Sequence, residues 1–157
     1  MTVTNVMRIL KQKSVPFRTA EYNVDESDLS GVHAAEAIGM DKETVFKTLV
    51  ARGDRTGINV FVIPVAEELD LKKCAVVSDN KRVEMIHVKE LLPLTGYIRG
   101  GCSPIGMKKK YPTFIDETAI LFNEISVSAG QRGEQVLLSP EALMNLMEIK
   151  AGDLTRV

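Results

Sequence analysis

The sequence predicts an α+β domain: a mixed or antiparallel curved, barrel-like sheet wrapped by peripheral helices. Two observations carry the prediction. Short apolar runs of strand length are interspersed with short helical segments, without the regular strand–helix–strand repeat of a parallel sheet. Glycine-bearing stretches of hairpin length, "GDRTG" and "GQRG", separate two pairs of these runs. The chain has 157 residues, enough for one domain with a substantial core. No internal repeat, low-complexity tract or linker divides it, so a single domain over residues 1–157 is expected.

The elements follow in order. Residues 3–13 place Val6, Ile9, Leu10 and Lys13 at helical spacing. "VPFRTAEY" (15–22) reads as a strand. Ser30 is placed to cap the helix "GVHAAEAI", which Gly39 ends. "TVFKTLVAR" (44–52) and "INVFVIPV" (58–65) read as the two strands of a hairpin. Asp70 is placed to cap a helix at "LKKCAVV". "KRVEMI" reads as a short strand and "HVKELL" as a helix stopped by Pro93. "GYIRGGCSPIG" (96–106) reads as a strand running into a Gly-Pro turn. "TFID" (113–116), "EISVSAG" (124–130) and "EQVLLS" (134–139) read as strands, the last two as a hairpin. Ser139-Pro140-Glu141 starts a helix with a cap, a Pro in the first position and an acid in the first turn. Leu143, Leu146 and Met147 share its face, and Gly152 is expected to close it.

Apolar residues make up 45% and charged residues 26%, which places the chain among ordinary globular proteins. Twenty basic against 21 acidic residues give a net charge of −1, which argues against a dedicated nonspecific nucleic-acid binder but leaves room for one local patch. Trp is absent and aromatics are 5%, so stacking on several aromatic platforms is not expected. No apolar run spans a bilayer, and "MTVTNVMRILKQKS" lacks the apolar core and cleavage site of a signal peptide. A cytoplasmic protein with reduced Cys74 and Cys102, no membrane and no DNA partner is expected.

Chemistry is sought first at "VFKTLV" (45–50), which sets a lysine in an apolar strand. Phe46, Thr48 and Val50 share one face; Lys47, Leu49 and Ala51 share the other. Lys47 has two readings. It is a surface lysine whose stem covers apolar sheet, or a pocket lysine that binds an anion or a carbonyl, with burial lowering its pKa. In "TGYIRGGCSPIG", Gly100 and Gly101 let backbone approach a ligand, and Ser103-Pro104 fixes a turn. The alternative is a plain tight turn. "SAGQRG" offers the Ser128 hydroxyl, freedom at Gly130 and Gly133, and the Arg132 fork, or else a simple hairpin loop. Lys108–Lys110 is the densest basic run, followed by Lys72-Lys73 and Lys81-Arg82, read as solvated surface or as a patch for an RNA backbone. His33 and His87 with two cysteines do not make a zinc site, so no metal and no cofactor are expected. The Walker A, G-x-G-x-x-G and G-x-S-x-G motifs are absent. Cys102 has no evident His partner and reads as a packed thiol. Asp116 could orient a base or simply end a strand.

In this order "VFKTLV", "PVAEELDLKKCA", "KRVEM", "TGYIRGGCSPIG-KKK-PTFID" and "SVSAGQRG" resemble the YbaK/EbsC family, from about Phe17 to the end. The family is similar to the editing insertion of bacterial prolyl-tRNA synthetase. The resemblance implies a mostly antiparallel, barrel-like sheet with surrounding helices. It implies trans-editing hydrolysis of the ester between a wrong amino acid and the tRNA 3′ end, foremost in Cys-tRNA(Pro) and also in Cys-tRNA(Cys). Prolyl-tRNA synthetase is the implied partner. Lys47 matches the family's lysine, which acts on the aminoacyl-adenosine end, with Thr48 beside it. Tyr22 matches a tyrosine lining the site. Gly100, Gly101 and Ser103, with Cys102 and Pro104 in the same turn, match the loop around the terminal adenosine and ester. Ser128, Gly130 and Arg132 match the second rim. The implied chemistry of the cysteine branch is attack by the substrate's own thiol on its ester, so no enzyme nucleophile is required. The sequence departs from the pattern at Cys102, where relatives often carry a branched aliphatic residue. It departs again at Gln135, with Glu134 beside it, where some relatives carry an acid. The competing readings are a deacylase for Ala-, Ser- or Thr-tRNA and a non-catalytic module that binds tRNA ends or a synthetase.

Overall fold

The computed structural model describes residues 3–156. Helices α1 (Asn5–Gln12), α2 (Gly31–Ile38), α3 (Leu71–Val77), α4 (Val88–Thr95) and α5 (Pro140–Met147) surround eight strands. The strands are β1 (Arg18–Glu21), β2 (Phe46–Gly53), β3 (Gly57–Pro64), β4 (Val83–Met85), β5 (Thr113–Asp116), β6 (Ile125–Ser128), β7 (Glu134–Leu138) and β8 (Lys150–Gly152). They form a five-stranded sheet in the order β4-β2-β3-β5-β8 and a three-stranded sheet in the order β1-β7-β6. The small sheet is antiparallel throughout. In the large sheet β2 runs antiparallel to β3 and β4, while β5 runs parallel to β3 and β8. A single parallel bridge, Val45 to Ser126, joins the two sheets. The fold is therefore α+β with a mixed, mostly antiparallel sheet system. No helix among the described residues is long and apolar enough to cross a membrane.

Strand alternation divides the apolar residues between two layers. Phe46, Val62 and Ile115 face the small sheet, where they pack with Ile125, Val127, Val136 and Leu138 and with Val6, Leu10 and Leu143 of the helices. Phe61, Ile63 and Phe114 face the other way, onto Cys74 of α3 and Leu154. Phe61 and Phe114 stack at 5.6 Å between ring centroids. Ser30, Asp70 and Ser139 cap their helices as the sequence indicates, each accepting backbone N–H groups of the first turn, and Thr4 does the same for α1.

Four expectations need correction. Pro93 lies inside α4 and does not stop it. The bond it removes would have reached the carbonyl of Lys89, on an exposed face where water can take its place. The helix ends one turn later, at Gly96 in the left-handed region. Residues 96–106 contain no strand: Gly96, Gly100 and Gly106 all have positive φ, and the Tyr97 hydroxyl donates to the Ile105 carbonyl, closing the segment into a loop. Gly152 does not end α5; Glu148 does, with φ 54°, and Gly152 belongs to β8. The first strand starts at Arg18 rather than at residue 15. Asp116 is structural, since its carboxylate accepts Leu154 N, Thr118 N and the Thr118 hydroxyl.

Candidate functional site

Where β2 leaves the bridge with β6 and before it meets β4, its outer edge is open. A cavity of about 390 Å³ sits there. Its walls come from four places. The start of α2 supplies Leu29, Ser30 and Gly31. The end of β4, the segment after it and α4 supply Met85, Ile86, His87, Val88 and Leu91. The loop gives Arg99, Gly100 and Cys102, and the small sheet gives Ser128 and Gln135. Tyr22 stands at the rim and meets His33 edge-to-face at 6.3 Å. Gly31 lets α2 begin this close to the sheet: a Cβ there would collide with the Val65 side chain.

Lys47 and Thr48 both reach the cavity, from opposite faces of β2. Lys47 is half-buried, and among the described residues no carboxylate pairs with it. Burial pulls its ammonium below the usual lysine value, opposed by the charges of Glu68 and Glu67. Thr48 is 8% exposed, and its hydroxyl is buried with no hydrogen-bond partner among the described residues. A cation drawn partly out of water and a residue with an unpartnered buried hydroxyl therefore border one cavity.

Cys102 also lines the cavity, with its thiol pushed up to about 12 by burial, against a hydrogen bond with Thr95. At neutral pH it stays protonated. No described Ser, Thr or Cys side chain hydrogen-bonds a His side chain. No group of three or more His, Cys, Asp and Glu among the described residues is arranged to hold a metal ion.

The residues singled out in sequence divide into two sets. Tyr22, Lys47, Thr48, Gly100, Cys102 and Ser128 line the cavity. Gly101, Ser103, Pro104, Gly130 and Arg132 stand behind it. Gly101 lies against the backbone of Gln131 and Arg132, where a Cβ would come within 3.1 Å. Ser103 and Pro104 are buried, and the Ser103 hydroxyl accepts Ile105 N. Gly130 has φ +96° and donates its N–H to the Ser128 hydroxyl. Arg132 Nε donates to the Arg99 carbonyl at 2.9 Å, tying the β6–β7 turn to the loop.

Sequence left the role of one site residue open and missed one wall. Gln135, singled out where some relatives carry an acid, enters the cavity because it pairs with Ser128 in the β6–β7 register, and its Oε1 accepts the Ser126 hydroxyl. Past Met85, which ends the "KRVEM" motif, the wall from Ile86 to Leu91 carries no motif; only the tertiary fold brings it to β2.

Comparison with known proteins follows the same lines. A family model described as "Aminoacyl-tRNA editing domain" matches residues 29–146. The Enterococcus faecalis (strain ATCC 700802 / V583) protein "Putative Cys-tRNA(Pro)/Cys-tRNA(Cys) deacylase EbsC" is 50% identical over 152 residues, covering 97% of this chain and 93% of that one. A "putative trans-editing enzyme for prolyl tRNA synthetase" superposes in its crystal structure with a TM-score of 0.82 at 22% identity, covering 99% of this chain and 100% of that one. The crystal structure of "hypothetical protein APE2540" does so with 0.87 at 19% identity, covering 96% and 99%. At those identities the two structures share the fold. The family match spans most of the chain and takes in the open edge of β2, so this protein belongs to the aminoacyl-tRNA editing domain family.

Proposed function

We propose that this protein is a single-domain, trans-acting deacylase that removes cysteine from Cys-tRNA(Pro), and also from Cys-tRNA(Cys), in the cytoplasm where charged tRNA is used. The observation that carries the reading is the cavity at β2: among the described residues, its half-buried lysine has no carboxylate partner, it stands beside a threonine whose hydroxyl is unpartnered, and there is no Ser/His or Cys/His pair. The relative that is 50% identical bears the name of such a deacylase. A proline-sized pocket in a synthetase rejects cysteine weakly, because small apolar differences give only roughly 10–200-fold discrimination, so a second sieve is needed.

In this reading the substrate brings its nucleophile. Its sulfur attacks the ester carbonyl carbon; the S–C bond forms and the C–O bond to the ribose breaks. The thiol proton ends on the ribose oxygen, and the amino acid leaves as a cyclic thiolactone that water later opens. The enzyme gains from holding the reactive conformer and from placing positive charge and donors where oxyanion charge develops. Lys47 supplies the charge, acting on the phosphate or ester oxygens of the tRNA end. Tyr22, Thr48, Gly100 and Ser128 shape the pocket around that end, and Cys102 lines it. Arg132 and Gly101 keep the loop against the hairpin. A net charge of −1 favours a helper that gains its hold on tRNA through prolyl-tRNA synthetase. Tight binding of bare tRNA at physiological salt, without synthetase, would count against that partner.

The decisive experiment incubates Cys-, Ala- and Ser-tRNA(Pro) with wild type and with Lys47→Ala. Loss of cysteine alone, abolished by the substitution, is expected. Loss of alanine or serine instead would move the protein to a branch that uses water as nucleophile. Loss of none would leave a binding module.

A further inference from the structure

The hydrogen-bond pattern of β2 leaves one rung of its outer ladder empty, at Thr48. The carbonyl of Val45 accepts Val65 N at 2.9 Å, so odd positions of β2 turn their backbone groups toward β3. Val60, opposite Val50, donates to Pro112 on the far side of β3, in keeping with that phase. Even positions therefore face outward. Thr44 O accepts Ser126 N at 2.8 Å on that edge, and Val50 O meets Ile86 N at 3.5 Å. Between them, the bridge to β6 stops at Val45–Ser126 and the ladder to β4 begins only at Ala51. Neither reaches Thr48, whose amide and carbonyl look into the gap where β6 and β4 diverge. Its hydroxyl is buried and, among the described residues, unpartnered as well, in a residue that lines the same cavity.

We propose that the aminoacyl group of the substrate fills this rung, as one residue of added strand. An aminoacyl ester has the same N–Cα–C=O sequence of atoms as a peptide residue. Opposite Thr48 it can make the two bonds of an antiparallel pair: its α-ammonium donates to Thr48 O, and its ester carbonyl accepts Thr48 N–H. Directly opposed residues put their side chains on the same face. An L-aminoacyl side chain then stands beside the Thr48 hydroxyl, on the face shared with Val50 and Cys102. That places a cysteine thiol on the face that carries the buried, unpartnered Thr48 hydroxyl, and gives the developing oxyanion a backbone donor. Selection is for a free α-amine of L configuration, ahead of any selection by side chain.

The inference rests on the deacylase reading, and its test separates the two. The probes are adenosine derivatives whose 3′-oxygen is replaced by an amide nitrogen carrying L-cysteinyl, D-cysteinyl or 3-mercaptopropionyl groups; the last lacks the amine. The L compound should bind at least about tenfold more tightly than the amine-free one, since a charged hydrogen bond is lost. It should also slow hydrogen exchange at the Thr48 amide, with the D compound failing to do so. Equal binding of the L and amine-free compounds overturns the proposal, as does a Thr48 amide that exchanges equally fast with and without the L compound. Cysteine release from Cys-tRNA(Pro) is measured on the same preparation. A protein that deacylates but ignores the amine defeats the rung alone; one that does neither defeats both readings.

Discussion

β2 and the loop at 96–106 border one cavity and dispose of their polar groups in opposite ways. In the loop the polar atoms find internal partners: Tyr97 OH with Ile105 O, Ile105 N with the Ser103 hydroxyl, Gly101 N with Ile98 O, and the Arg99 carbonyl with Arg132. In β2, among the described residues, Lys47 has no carboxylate partner and the Thr48 hydroxyl has none of any kind. A buried polar group without a partner is costly, so it stays in a native structure where something else supplies the bond. Wall residues should accordingly register in stability, and β2 residues in turnover.

The largest expected effect tests the β2 side. Lys47→Ala should lower deacylation by on the order of 10²–10³-fold, the scale seen when an oxyanion donor is lost. Thermal unfolding should be unchanged or slightly later, because a partly desolvated cation is removed. A marked loss of stability would break the contrast. Next, Gly101→Ala probes the wall. Its Cβ would lie 3.1 Å from the backbone of Gln131 and Arg132, which cannot rotate away. A cost of about 1–3 kcal/mol in denaturant unfolding is expected, with turnover falling as the loop shifts. Arg132→Ala should cost about 1 kcal/mol, the net worth of its bond to the Arg99 carbonyl, and leave turnover within a few-fold. A hundredfold loss there would make Arg132 a substrate ligand.

A smaller effect lies in pH. The folded-state pKa of Lys47 is lowered, so the unfolded chain holds the proton more tightly. Between the lowered value and the ordinary 10.5 the unfolded state binds more protons, and stability contributed by this residue rises with pH. Turnover runs the other way, falling as the cation is lost. Wild type and Lys47→Ala, compared in rate and in melting temperature from pH 7 to 10, should show these opposite slopes in wild type alone.

Local signals were sufficient for much of this. Ser30 and Gly39 bound α2 at both ends, because a cap hydroxyl and a left-handed glycine act within one turn. Alternation along 45–50 put Lys47 on the face opposite Phe46, and the match to known editing-domain motifs singled it out; both faces of β2 turn out to carry core, with Lys47 opposite buried Ile63. What local signals missed depends on distant contacts. Pro93 is tolerated because its lost bond lies at the surface. The glycines of 96–106 look like strand ends but hold a loop that Tyr97 closes. The Ile86–Leu91 wall is ordinary in sequence and becomes part of the site only because β4 pairs with the far end of β2.

Cys102→Ala should have the smallest effect on rate, and it tests the contrast most finely, because Cys102 lies on the wall yet lines the cavity. Burial holds its thiol up to about 12, so at pH 8 it stays protonated. The rate should stay within a few-fold of wild type, and iodoacetamide at pH 8 should leave the native residue unmodified. Loss of the sulfur from a well-packed position should cost about 1 kcal/mol of stability, as removal of a buried group of that size does. An inactive Cys102→Ala beside a normal Lys47→Ala would reverse the assignment: the enzyme thiol would be the nucleophile, and the lysine at β2 would only shield the sheet.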